Sequence, residues 1–180
     1  FHANAVVMPD GGATLIAGAS GAGKSTLAGL LQQRGLPLIT DDVAVIRWDE
    51  DGVARVSPGQ SRLKLWRPSL EVLGIERDGL STVRPELEKY LLHVPNVGQE
   101  EQSPVLKRMV GLKWDRRKDA PVLKSISGLE KIEFLKKQLW HMQRWPDFQP
   151  ETEVLDQIVR IAGQCELVRL SRSQQPFTPE

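Results

Sequence analysis

The sequence predicts an α/β fold, and three observations carry that prediction. Two short apolar runs, residues 5–8 and 13–17, flank the turn-forming Pro9-Asp10-Gly11-Gly12 and read as a β-hairpin. A glycine-rich loop then leads into residues 24–34, where Leu27, Leu30 and Leu31 recur at helical spacing and Gly35 supplies a stop signal. Residues 37–40 form a further buried strand, so strand, helix and strand follow in order and imply a parallel crossover.

The remaining elements follow in order. Residues 43–48 and 53–57 read as strands joined by the turn Asp49-Glu50-Asp51-Gly52, and residues 68–73 as one or two helical turns. Residues 76–102 are charged, interrupted by Pro85 and Pro95 and weakly periodic, and are expected to be mobile or partner-facing. Residues 105–114 and 122–126 read as a second hairpin around residues 115–119. Ser127 and Glu130 have the spacing of a capping box, and Leu129, Ile132, Leu135, Leu139 and Met142 mark the helix that follows. A helix over residues 151–162 and a strand over residues 167–170 complete a single domain of residues 1–173, with a frayed tail at 174–180.

Composition narrows the function classes. A net charge of +1 in 180 residues gives no global field for nucleic acid or an anionic membrane, so any polyanion must be recognised locally. No apolar run approaches a membrane span and the N-terminus lacks a basic signal region, which points to the cytoplasm. The one cysteine, Cys165, allows no internal disulfide and reads as a small core residue in a reducing compartment.

Residues 18–25, Gly-Ala-Ser-Gly-Ala-Gly-Lys-Ser, match G-x-x-x-x-G-K-[ST] between a predicted strand and a predicted helix. Gly18, Gly21 and Gly23 let the backbone turn tightly, so that the N–H groups of Ala19, Ser20, Ala22 and the first helical residues through Thr26 can surround phosphate oxygens. Lys24 would neutralise the β and γ phosphates of ATP, and the Ser25 hydroxyl would complete the coordination of Mg2+. Asp41-Asp42 ends the next apolar strand, where an acid can serve the metal. Adjacent strand residues point to opposite faces, so one carboxylate could hold magnesium while the other faces a phosphate acceptor. His2, at the start of the strand paired with the loop strand, could reach the site from the side.

These elements, in this order, resemble the catalytic domain of HPr kinase/phosphorylase, a bacterial serine kinase whose P-loop-containing fold is related to phosphoenolpyruvate carboxykinase. The similarity runs through His2, the loop 18–25, the helix end Arg34-Gly35 and Leu-Ile-Thr-Asp-Asp-Val-Ala-Val of residues 38–45, with one extra residue in the hairpin turn. It implies a mixed sheet with flanking helices, Asp42 as the base that takes a serine proton, His2 as its helper and Asp41 left for the metal. Residues 57–74 resemble a segment of short stand-alone relatives, including kinases of lasso-peptide precursors. No counterpart is evident of the regulatory kinase's glutamate motif, which supplies a second metal ligand and is linked to phosphorolysis, nor of that protein's N-terminal domain. The resemblance therefore implies a homo-oligomeric kinase without phosphorylase activity, acting on a peptide or small-protein serine. A small-metabolite kinase and a non-catalytic nucleotide-binding module are the alternatives. Further cations should meet the developing charge, and Arg62 and Arg108 are the candidates, from residues 62–64 and from a stretch holding Lys107, Arg108, Lys113, Arg116, Arg117 and Lys118 against Asp115. Trp114, Trp140 and Trp145 read as core or interface residues.

Overall fold

A computed structural model describes residues 1–60, 62–95, 103–116, 120–140 and 150–173. Its centre is a six-stranded mixed sheet built from β1 (Ala3–Val7), β2 (Ala13–Gly18), β3 (Leu38–Thr40), β8 (Leu106–Trp114), β9 (Val122–Ser125) and β10 (Glu166–Arg172). The strand order is β3-β1-β2-β8-β10-β9. Strand β1 is antiparallel to both β2 and β3, which makes the β2-to-β3 connection a parallel crossover with β1 lying between the two strands. Strands β2, β8 and β10 run parallel.

Alternation along the strands feeds two apolar layers. Ala3, Ala5, Leu15, Ala17 and Met109 face a layer closed by helices α3 (Gly128–Lys137) and α4 (Glu151–Gln164). The same layer takes in the small hairpin of β4 (Ile46–Trp48) and β5 (Ala54–Val56). On the other face Val6, Ile16, Leu38 and Leu112 pack with helix α1 (Lys24–Gln33) and helix α2 (Arg67–Leu73), and with β6 (Arg62–Trp66). The largest of these side chains lose essentially all contact with water, and each contributes roughly 1.5–3 kcal/mol relative to an exposed position. Cys165 is buried in the first layer.

Several expectations are corrected. Residues 105–114 and 122–126 do not form a hairpin, because β10 lies between β8 and β9 and pairs with both. Non-local pairing with β10 buries Leu167 and orders both strands, which a direct turn would not do. Residues 43–45 carry no strand, and β4 pairs outside the main sheet. The segment read as mobile or partner-facing contains β7 (Lys89–His93), which pairs with β6 in an antiparallel ribbon. Ser127 stands at the N-cap of α3 without a side-chain hydrogen bond, while Glu130 pairs with Arg169 at 2.8 Å instead of closing a box. Leu129 is 82% exposed, so the helix buries a narrower stripe than its leucines suggest. Arg117, Lys118, Met142, Trp145 and the tail 174–180 lie outside the described residues.

Candidate active site

The loop after β2 turns on glycines held at positive φ, 77° at Gly21 and 88° at Gly23, a region that costs an L residue strain. Helix α1 begins at Lys24 with no side-chain cap and no acidic residue in its first turn. Its N-terminal N–H groups and positive dipole end are therefore left for an external anion. Ala19, Ser20 and Gly21 are exposed at the mouth and Ala22 is buried beneath it. Lys24 is buried, and its ammonium donates to the carbonyls of Gly18 at 2.9 Å and Ala19 at 3.2 Å. Burial lowers its pKa, with the two aspartates opposing. Thr26 points elsewhere: its hydroxyl hydrogen-bonds Ser69 Oγ at 2.8 Å, so its side chain serves the α1–α2 contact.

Two further groups converge on Ser25. Its hydroxyl donates to Asp41 Oδ1 at 3.1 Å, and Asn4 on β1 donates to the same oxygen and to Ser25 Oγ at 3.4 Å. Asn4 is fully buried, and its own Oδ1 has no partner among the described residues. A hydroxyl, a carboxylate and an orphaned amide oxygen together form a hard-oxygen donor set that fits Mg2+ held largely by phosphates and water. Among the described residues no cluster of three His, Cys, Asp or Glu competes as a metal site. Burial raises the pKa of Asp41, against the lowering effect of its hydrogen bonds from the Lys64 N–H and Ser25.

Asp42 turns away from Asp41, but by a different route than the strand pleat. It has φ 73°, the one non-glycine residue at positive φ among those described, a conformation Asp tolerates better than most residues. The turn sends its carboxylate to His2 Nε2 at 3.3 Å and to Lys64 Nζ at 3.0 Å. Burial pushes the Asp42 pKa up, but the Lys64 ammonium, with His2 and Lys89, more than offsets this and holds it below the ordinary value. His2 is pushed down by burial and by Lys24 against the pull of Asp42, which favours a neutral imidazole near neutral pH. Thr40 Oγ1 closes the aspartate turn on the Val43 carbonyl at 2.9 Å, and Gly59 fits so tightly against Thr40 that a Cβ there would lie 2.1 Å from that hydroxyl.

The structure thus brings Gly18, Ala19, Ser20, Gly21, Ala22, Gly23, Lys24, Ser25, Asp41, Asp42 and His2 to one sheet edge. Arg62 lies on the ribbon two residues from Lys64, on the same strand face, with its buried Nε unpartnered among the described residues. Arg108 is not brought there. It sits in register with Thr14, four residues before the β8 position that pairs with Gly18, and it forms an ion pair with Glu166 at 3.0 Å. Trp114 lies against the outside of the loop, donating to the Gly21 carbonyl at 3.2 Å and carrying the Arg172 guanidinium on its ring at 4.3 Å. Trp140 is 45% exposed. Sequence reasoning missed Asn4, and of the two cations in residues 62–64 it chose Arg62 over Lys64. The signals were present: one amide in an otherwise apolar strand, and a lysine between two buried leucines.

No family model matches the chain, and no curated protein matches it. Among solved structures it is similar to the Hpr(Ser) kinase/phosphatase from Coxiella burnetii, at 12% identity and a TM-score of 0.41, over 97% of this chain and 85% of that one. An overlap this loose carries nothing about substrate or chemistry. No helix among the described residues is long and apolar enough to cross a membrane.

Proposed function

We propose that the protein is an ATP-dependent serine kinase of HPr kinase-like type, transferring the γ-phosphoryl group to a serine of a peptide or small protein and lacking phosphorylase activity. What supports the reading above all is the pairing of His2 with Asp42 beside the Lys24 and Ser25–Asp41 groups. A loop that only binds nucleotide needs no carboxylate oriented by an imidazole. In this reading the N–H groups of residues 18–26 and the Lys24 ammonium grip the phosphates, while Ser25 and Asp41 hold Mg2+, with Asn4 orienting both. When bound, Mg2+ neutralises charge on the β and γ phosphates. Asp42 accepts the serine proton, and neutral His2 donates its Nε2–H to the carboxylate and fixes its direction. Arg62 stands on the ribbon as a further cation for the transferring group. The enzyme would work in the cytoplasm as a homo-oligomer. The phosphoryl acceptor in the resemblance to lasso-peptide kinases is a ribosomal peptide precursor; in the resemblance to the regulatory kinase it is a phosphocarrier.

The test is incubation with ATP, Mg2+ and serine-containing acceptors of both kinds, followed by intact mass. Gain of one phosphate on a serine supports the reading. Transfer only to a small alcohol or nucleotide would replace it with a metabolite kinase.

A further inference from the structure

Lys64 connects the β6–β7 ribbon to the site through two contacts of different kinds. Its backbone N–H donates to Asp41 Oδ2 at 2.7 Å, and its side-chain ammonium donates to Asp42 Oδ2 at 3.0 Å. The first is fixed by the strand. The second hangs on a flexible four-carbon stem that can carry the charge several ångströms without moving the backbone. Residues directly opposite in an antiparallel pair share a face, so the register Arg62↔His93, Lys64↔Leu91 and Trp66↔Lys89 gathers three cations on one side of the ribbon. The other side is anchored by fully buried Leu63 and Leu65. Lys89 is close enough for its charge to act on both Asp42 and Lys24.

The carboxylate that would take the acceptor proton is thus paired on one oxygen with His2 and on the other with Lys64. Lys24 and Asp42 also sense each other's charge, so the phosphate end of a bound nucleotide would lie near the Lys64 ammonium. A γ-phosphoryl group offers more negative charge and more acceptor oxygens than one carboxylate, and competes for that ammonium.

We infer that Lys64 is a mobile catalytic cation: it rests on Asp42 in the free protein and moves to the γ-phosphoryl oxygens when ATP fills the loop, releasing the carboxylate toward the acceptor. The inference rests on the phosphoryl-transfer reading above. In the step it serves, the acceptor O–H gives its proton to Asp42 and its oxygen forms the new bond to phosphorus. The bond from phosphorus to the bridging oxygen breaks, and that electron pair leaves with ADP. Lys64 keeps its three protons throughout and balances the charge spread over the equatorial oxygens.

The experiment compares wild type, Lys64→Met and Lys64→Arg in steady-state transfer, with ATP hydrolysis as the acceptor-free readout, alongside nucleotide Kd. Every variant keeps the backbone N–H that holds Asp41. Lys64→Met should lower kcat about 10- to 100-fold with Kd for Mg·ATP changed less than about threefold, and Lys64→Arg should recover most of the rate. Replacing ATP by ATPγS, which puts sulfur on the γ-phosphoryl, should slow wild type more than Lys64→Met. Parallel loss of Kd and kcat, or an unchanged kcat, would overturn the role. A second measurement needs no turnover: the 15N ammonium resonance of Lys64, assigned by its absence in Lys64→Arg, should shift with Mg·AMPPNP and not with Mg·ADP. Equal shifts with both nucleotides would sink the inference. A wild-type protein that phosphorylates nothing, but shows the AMPPNP-specific shift, would retain the Lys64 contact and count against the kinase reading instead.

Discussion

The main-sheet edge and the β6–β7 ribbon present opposite kinds of support to the same few ångströms of space. Asn4, Ser25 and Asp41 come from β1, the start of α1 and the turn just after β3; β1 and β3 are joined by sheet pairing, and all three elements are backed by residues with almost no exposure. Among the described residues β6 and β7 form a two-stranded sheet of their own, with an isolated bridge from Tyr90 to Thr82, and the ribbon is tied to the body by Leu63 and Leu65 against α1 and its neighbours and by the Lys64 N–H on Asp41. Donors that must present one geometry to phosphate and metal are set by backbone hydrogen bonds. The cations are carried by an element held to the body by apolar contact and the single backbone bond from Lys64 to Asp41, which fix position less sharply than a ladder of directional bonds.

The largest expected effect breaks the chemistry and spares the framework. Asp42→Asn keeps the shape of the turn and removes the proton acceptor, so transfer should fall about 10²- to 10⁴-fold, with nucleotide affinity by calorimetry changed less than about threefold. Weakened binding with normal turnover would give Asp42 to the nucleotide instead.

Core truncations separate the two regions directly. Leu15→Ala under the main sheet and Leu65→Ala under the ribbon should each cost about 2–5 kcal/mol in denaturant unfolding. They should differ in activity per folded molecule, which stays near wild type for Leu15→Ala and drops for Leu65→Ala as the ribbon loosens. Equal specific activities would show that the ribbon is held as firmly as the sheet.

A smaller effect is expected at the amide behind the metal pair. Asn4→Ala frees Asp41 Oδ1 and Ser25 Oγ from their orienting donor, and the Mg2+ concentration for half-maximal activity should rise about 10-fold. An unchanged magnesium dependence would make Asn4 a packing residue.

The smallest effect concerns pH. The His2 pKa is lowered in the folded protein, so below the ordinary histidine value of 6.5 the unfolded chain binds the proton more readily. The His2 contribution to stability should therefore rise with pH through the window between the lowered value and 6.5 and level off above it. His2→Gln should flatten that slope in unfolding midpoints measured across the window. An identical slope would place its origin in other groups.

Much of this was legible in the residues. The glycine loop, the helix to Gly35, the hairpin turn at residues 9–12 and the aspartate pair all rest on backbone preferences that act within a few positions, and the structure has each of them. The prediction that the two carboxylates diverge also holds, though a positive-φ turn at Asp42 produces the divergence that strand alternation had suggested. What misled was tertiary. Residues 105–126 read as a hairpin because their turn is local, while β10, some forty residues further on, supplied the pairing that wins. Arg108 looked suitable by charge and was drawn to Glu166 across β10 at the wrong end of its strand.

By itself, then, the sequence determined the phosphate-binding loop, the acids that follow it and the alternation of strands and helices. These depend on steric limits and periodicities that a short stretch carries within it. Only the tertiary structure decided that Asn4 would stand behind Ser25, that His2 would meet Asp42, and that a lysine from a separate ribbon would touch both aspartates. Those meetings depend on which distant strands pair and which apolar faces close on one another, and no local spacing encodes the choice.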